Sequence, residues 1–261
     1  MLSKTELQEN LHTTIIGKKL FLFDSIDSTN TCAKALAETN CEEGTVVIAE
    51  MQTAGRGRLG RTWSSDSGKN LLFSILLRPA ISIEQSGLLS LLAAVATSSA
   101  IESVLGIKTF CKWPNDLLFE GKKCCGILLE SSITAKTFQY AIVGIGLNVN
   151  QPQFPDELNA RATSLIAASG NSINRTMLLK SILEYFDRYY IMLLKNDTDT
   201  IVKDWRNRST MLGKSITFIQ ENNTITGIAR DITNDGGLIL ETPTGTNVFY
   251  AGEVTLSSTQ V

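Results

Sequence analysis

Residues 55–63 read Gly55-Arg56-Gly57-Arg58-Leu59-Gly60-Arg61-Thr62-Trp63, and the fold class depends on what surrounds them. Gly55, Gly57 and Gly60 satisfy the spacing G-x-G-x-x-G of a dinucleotide-binding turn. That turn must follow a strand and open a helix whose N-terminus holds a pyrophosphate. Upstream, Thr45 to Glu50 (TVVIAE) reads as a β-branched strand. Downstream come Ser64 to Asn70 and then a second strand, Leu71 to Leu77, with no helical periodicity between them. Strand–loop–strand argues against the dinucleotide fold. The better reading is a loop whose glycines let the backbone wrap closely around a ligand. Arg56, Arg58 and Arg61 supply planar, permanently charged forks suited to phosphate and carboxylate. Like charges at this density repel, so the loop is expected to stay mobile until an anion arrives.

Working outward, Lys19 to Phe23 reads as a short strand. Asp27, Ser28, Thr29 and Asn30 give N-cap chemistry for a helix running to about Thr39. A long helix is expected over Glu84 to Leu105, a strand over Thr109 to Lys112, and a turn at Pro114. A hairpin follows, with arms Cys124 to Ser131 and Phe138 to Val149. Short helical pieces come after Pro152 and Pro155. Arg175 to Leu194 places Leu178, Ile182, Phe186, Tyr189 and Leu193 on one helical face. Beyond Trp205 the texture changes to four short strands: Lys214 to Gln220, Thr224 to Ile232, Leu238 to Glu241 and Val248 to Leu256. Turn clusters at Glu221-Asn222-Asn223, Asn234 to Gly237 and Thr244-Gly245-Thr246 separate them. That spacing suggests a small barrel. The expected domains are residues 1–209 and 210–261.

The 261 residues are 43% hydrophobic and carry a formal net charge of −2. A chain-wide basic footprint for nucleic acid is therefore absent, and anion binding must come from a local cluster. There is one histidine, His12, outside every motif. Triad hydrolysis and most catalytic zinc sites need histidine, so the chemistry falls to lysine, arginine and carboxylates. The five cysteines form no C-x-x-C pair, and the adjacent Cys124 and Cys125 read as core residues of a strand. Free thiols point to the reducing cytoplasm, and residues 1–20 show no signal-peptide pattern. The apolar run Leu88 to Ala100 is shorter than the roughly 20 residues of a membrane span, which predicts a buried helix and no membrane partner.

Three further motifs carry chemistry. Lys112-Trp113-Pro114-Asn115-Asp116 presents two polar side chains at a sheet end, though alone it reads as a turn. Lys122-Lys123-Cys124-Cys125-Gly126-Ile127-Leu128-Leu129-Glu130 leads a lysine into an apolar strand, either as an edge charge or as a buried cation facing an anion. Gly144-Ile145-Gly146-Leu147-Asn148-Val149-Asn150 is a strand whose glycines admit a flat ligand or a tight sheet crossing. In this order the motifs join Ser28-Thr29-Asn30, Gln52, Ala162-Thr163-Ser164-Leu165 and Gly252-Glu253-Val254. Together they strongly resemble the biotin–protein ligase family over about residues 20–257.

The resemblance implies an α+β fold: a mixed, mostly antiparallel sheet flanked by helices, followed by a small C-terminal SH3-like β-barrel. It implies two substrates, ATP and biotin, with Mg2+. The biotin carboxylate attacks the α-phosphate to give biotinyl-5′-AMP, and a lysine of a carrier protein then takes the biotin. By the match, Lys123, Arg58 and Asp116 are catalytic. Ser28, Thr29, Asn30, Gln52, Arg56, Gly57, Arg58, Lys123 and Gly126 bind biotin. Arg56, Arg58, Arg61, Trp63, Asn115 and Asn148 bind the nucleotide. Asp116 either holds magnesium or deprotonates the incoming lysine, and no metal-ligand set is assigned. The implied partner is the biotin carboxyl carrier domain of acetyl-CoA carboxylase, and the implied state is a monomer or homodimer. Two departures stand out. About 20 residues precede the core, too few for the winged-helix domain of many family members, so nucleic-acid binding is not expected. Ser257 replaces an arginine that reaches the nucleotide in some members. The rivals are a lipoate–protein ligase or octanoyltransferase on the same fold, and a non-catalytic biotin sensor. The first lacks support in the arginine–glycine pattern; Lys123 and the three loop arginines argue against the second.

Overall fold

The computed structural model describes residues 1–220 and 223–256. Its elements run α1 (Lys4–Gln8), β1 (Leu20–Phe23), α2 (Thr29–Glu38), β2 (Val46–Ala49), β3 (Leu71–Leu77) and α3 (Ser86–Leu105). There follow β4 (Phe110–Lys112), β5 (Asp116–Phe119), β6 (Lys122–Thr134), β7 (Thr137–Leu147), α4 (Asp156–Asn159), α5 (Leu165–Ser169), α6 (Arg175–Leu194) and α7 (Thr198–Asn207). The last five are strands: β8 (Ser215–Gln220), β9 (Asn223–Ile232), β10 (Leu238–Thr242), β11 (Gly245–Phe249) and β12 (Glu253–Leu256).

A seven-stranded sheet in the order β1-β2-β3-β7-β6-β5-β4 forms the main frame. Only β1 and β2 pair in parallel; the other ladders are antiparallel. β3 is buried at all seven positions, because α2 covers one face while α3 underlies the sheet from the other. Helix α3 is apolar on every side, and such a helix needs partners all round. It finds them in the sheet, α6 and α7. It ends where Gly106 turns left-handed at φ 69°. In α6 the five residues expected on one face are all buried, and the Asn174 side chain caps it by accepting from Met177 N–H.

The second sheet is antiparallel, in the order β11-β10-β9-β8-β12. It shares one continuous core with the first. Trp113 sits at the seam: its ring lies 6.2 Å from Phe218, and its indole N–H donates to the Gly236 carbonyl at 3.0 Å.

Several expectations need correction. The run Leu88 to Ala100 lies in the buried part of a longer helix, so the expected buried helix stands while its length needs restating. Residues Ile83–Leu105 form a helical stretch long and apolar enough to span a bilayer by length and composition, and burial in the core accounts for its composition instead. Asp116 does not merely end a turn but opens β5, a strand absent from the sequence reading. The stretch Val248 to Leu256 is two strands, and Gly245 and Thr246 belong to β11 rather than to a turn. Glu221, Asn222 and Ser257 lie outside the described residues.

Candidate active site

The spacing of the motifs becomes proximity because the sheet order sets β3, β7, β6 and β5 side by side. Their ends, with the start of α2 and the loop after β2, line a cleft of about 740 Å³. Ser28, Thr29, Asn30, Gln52, Arg56, Gly57, Arg58, Arg61, Trp63, Asn115, Asp116, Lys123, Gly126 and Asn148 all line it. Every sequence-predicted site residue is therefore brought to one place.

The loop itself is a miniature hairpin. Gly57 N–H donates to the Arg61 carbonyl at 2.7 Å, and Trp63 N–H donates to the Gly55 carbonyl at 2.9 Å. Leu59 at its tip is 73% exposed with φ 55°. The expected repulsion among the arginines is offset, because each has its own acceptor. Arg56 makes a two-pronged contact with Glu130, at 3.0 and 2.8 Å. Arg58 donates to Asn115 Oδ1 at 3.1 Å and to the Gly252 carbonyl at 3.0 Å. Arg61 pairs with Glu253 at 2.6 Å. Burial holds the Arg58 guanidinium below its ordinary value, against the pull of Glu253 and Asp116.

The loop's stem is fastened differently. Arg175, at the start of α6, donates to Glu50 Oε2 at 2.7 Å and to the Asn70 carbonyl at 2.9 Å, so it spans both ends of the loop. Glu50 also accepts the Leu2 N–H. Its side chain is 3% exposed and that of Arg175 is 9% exposed. Burial alone raises the Glu50 carboxyl, but the Arg175 and Leu2 contacts outweigh it and hold it below the ordinary range.

One corner of the cleft is built of buried polar groups. Gln52 Oε1 accepts from Thr29 N–H at 2.7 Å and from the Thr29 hydroxyl at 3.0 Å. Asn30 Nδ2 donates to Glu130 Oε2 at 2.7 Å and to the Leu128 carbonyl at 3.3 Å, while its Oδ1 accepts from Ser74 at 2.6 Å. Gly144 is required beneath Asn30, since a Cβ there would lie 2.1 Å from Oδ1. Ser28 begins α2 without a side-chain cap bond.

The opposite corner is cationic. Lys123 Nζ lies 2.6 Å from Asp116 Oδ1, yet that oxygen has no well-directed hydrogen bond. Lys112 joins them, and burial holds its ammonium below the ordinary lysine range, with Lys123 adding to the effect and Asp116 opposing it. Between the corners lies the Trp63 ring. A Cβ on Gly126 or Gly146 would come within 2.8 or 2.6 Å of it. Asn148 Nδ2 donates to the Thr163 carbonyl at 3.1 Å. Beneath the lysines, Cys111, Cys124 and Cys125 are fully buried, and burial pushes the first two thiols up to about 12.

The sequence reading gave no role to Lys112, Glu130, Ser74, Glu50 or Arg175. Lys112 carried a usable signal, since it sits four residues before Asp116 across a hairpin turn. The others act through partners far along the chain.

A cleft with a hydrogen-bonding corner, a cationic corner and an arginine-rich loop at its edge suits a ligase that activates a carboxylic acid. In agreement, the Biotin/lipoate A/B protein ligase family matches residues 22–148, and the Biotin protein ligase C terminal domain matches residues 211–257. The chain is 40% identical to the bifunctional ligase/repressor BirA of Bacillus spizizenii, over 98% of this chain and 79% of that protein. It is 32% identical to the biotin–[acetyl-CoA-carboxylase] ligase of Mycobacterium tuberculosis, over 95% of this chain and 94% of that one. The biotin protein ligase of Aquifex aeolicus, solved with biotin and ATP, superposes with a TM-score of 0.79 at 32% identity, covering 92% of this chain and 98% of that one. The chain belongs to the biotin protein ligases.

Proposed function

We propose that biotin lies with its ureido ring on the Thr29, Asn30 and Gln52 corner and its carboxylate toward Lys123 and Arg58. The observation that carries this reading is the polarity of two amides. Both N–H groups of Asn30 are spent on Glu130 and Leu128, which leaves its carbonyl able to accept one more bond. The Gln52 carbonyl is spent on Thr29, which leaves its N–H groups to donate. One free acceptor beside one free donor complements a ureido group, which offers both an N–H and a carbonyl. A saturated fatty acid or a dithiolane would leave these groups unpaired, at a cost that discriminates strongly.

In the first step a biotin carboxylate oxygen attacks the α-phosphorus of ATP, and the bond to pyrophosphate breaks. Lys123, Lys112 and Arg58 offset the charge of two anions brought together, and such preorganised charge is a large catalytic term. In the second step the amine of an acceptor lysine attacks the acyl carbon, and the bond to AMP breaks. Asp116, a carboxylate lining the cleft, would take the amine's proton. Its Oδ1 already faces the Lys123 ammonium at 2.6 Å, so a metal ion would share the carboxylate with that lysine. Mg2+ would be carried largely by the triphosphate, with the Asp116 and Glu253 carboxylates as the acidic groups lining the cleft that could help hold it. There it would neutralise phosphate charge. Trp63 and Asn148 face the adenine, and Arg56 and Arg61 close the loop over the phosphates.

The acceptor is a biotin carboxyl carrier domain, and the compartment is the cytoplasm, which suits five free cysteines. The test is pyrophosphate exchange with ATP and biotin, lipoate or octanoate in turn, followed by transfer to a carrier domain read by mass. Exchange with biotin alone and one added biotin per carrier is expected. Exchange with lipoate but not biotin would overturn the assignment of the polar corner.

A further inference from the structure

Glu130 connects two parts of the cleft. Its Oε2 accepts from Arg56 Nη2 at 2.8 Å and from Asn30 Nδ2 at 2.7 Å, while Oε1 accepts from Arg56 Nη1 at 3.0 Å. A single carboxylate oxygen is thus shared between the glycine–arginine loop and the buried floor. Among the described residues, no other carboxylate hydrogen-bonds to either group.

Each contact has a distinct consequence. A paired fork fixes the plane of a guanidinium as well as its place, so Glu130 sets where Arg56 stands over the cleft. The Glu130 carboxylate is also the nearest acceptor of the Asn30 amide, at 2.7 Å, and with the Leu128 carbonyl and the Ser74 hydroxyl it sets which way that amide faces. Rotating that amide by half a turn would set its carbonyl against a carboxylate and its N–H groups against Gly144. Fold stability depends little on this contact, because the two side chains are 45% and 36% exposed and such pairs contribute little.

We propose that Glu130 is a positioning residue that couples recognition of the ring to closure of the loop. By holding Asn30 as an acceptor and Arg56 as a lid contact through the same oxygen, it makes ring discrimination and retention of the acyl adenylate rise and fall together. The inference rests on the reading of the cleft as a biotin site.

The experiment compares wild type, Glu130→Gln, Glu130→Asp, Arg56→Ala and the Glu130→Gln/Arg56→Ala double variant. The readouts are affinity for biotin against an analogue methylated on a ureido nitrogen, the biotin KM and kcat of pyrophosphate exchange, the loss rate of preformed biotinyl-5′-AMP, and Tm. Losing a charge-assisted contact should reduce the preference for biotin and speed adenylate loss in Glu130→Gln by about tenfold each. KM should rise more than kcat falls, Tm should hold, and Glu130→Asp should restore part of both effects. Because Glu130 and Arg56 act as a unit, the double variant should lose adenylate no faster than the single ones. Arg56→Ala alone should also lower the ring preference, though by less than Glu130→Gln, because Asn30 keeps its carboxylate acceptor. A uniform loss of affinity for both ligands, or additive adenylate loss, would overturn the coupling. A wild type without biotin-dependent exchange would instead overturn the site reading, whereas an active wild type matched by Glu130→Gln removes only Glu130.

Discussion

The glycine–arginine loop is held at its stem and at its tip by the same chemistry, an arginine against a carboxylate, in opposite surroundings. At the stem, Arg175 and Glu50 are both out of water, and the arginine also takes the Asn70 carbonyl. At the tip, Arg56 and Arg61 meet Glu130 and Glu253 with solvent around them. A buried pair is costly to break, because whichever partner remains is left bare. An exposed pair is worth little and exchanges readily for another anion. The difference divides the labour: the stem fixes where the loop springs from, and the tip is held by contacts weak enough to exchange, as the proposed phosphate-binding role of its arginines requires.

The most disruptive way to break that contrast is Arg175→Ala. It should cost about 3–5 kcal/mol of stability, read as a loss in urea midpoint. If it costs no more than a tip substitution, the stem is not a fixed frame. The pH dependence sharpens the same point. The Glu50 carboxyl sits below its ordinary value of 4.5, so its contribution is fully present above that value and is lost as pH falls through the lower folded value. The stability gap between wild type and Glu50→Gln should therefore narrow as pH drops from about 6 to about 3.

Next in size is Lys123→Ala, which should slow biotin-dependent pyrophosphate exchange about a hundredfold, on the order of 3 kcal/mol, with an unchanged circular dichroism spectrum. Near-normal exchange would reduce Lys123 to an edge charge. Gly146→Ala should act more mildly. Its Cβ would push the Trp63 ring aside, and a displacement of that kind costs about 1–3 kcal/mol. The expected readout is faster loss of biotinyl-5′-AMP with the fold intact; an unchanged rate would mean that the ring's seat on the glycines is incidental. Arg61→Ala, at the exposed tip, should change stability by less than about 1 kcal/mol, and its effect on adenylate loss should fade at high salt. A larger stability loss there would erase the distinction between tip and stem.

What could be read from the sequence depended on whether the signal was local. Helix α6 was legible because its apolar period is that of its buried face. Strands β2 and β3 were legible from β-branched and apolar runs on either side of the loop. Strand β5 was not, since Pro114-Asn115-Asp116 reads as a turn and only three residues follow Asp116 in the strand. The overlooked cue was Glu120-Gly121, both at positive φ, the form a two-residue hairpin turn requires. Helix α7 was also unforeseen, although Asp197 caps it by accepting from Thr200 N–H and Ile201, Val202 and Trp205 face inward. In the cleft, residues carried by a motif were foreseen, whereas Glu130 and Arg175 depend on partners 74 and 125 residues away, which no local pattern encodes.

The sealed thiols beneath the cationic corner have a practical consequence. Cys111, Cys124 and Cys125 sit on or beside the strands that carry Asp116 and Lys123, and reaction with a thiol reagent needs an accessible thiolate. In the native chain such a reagent can address Cys32 and Cys41, the two half-buried cysteines; once these strands part, it can address all five. The rate at which the last three acquire label is thus a clock for opening of the catalytic sheet, wound into the protein and readable by mass without any engineered probe.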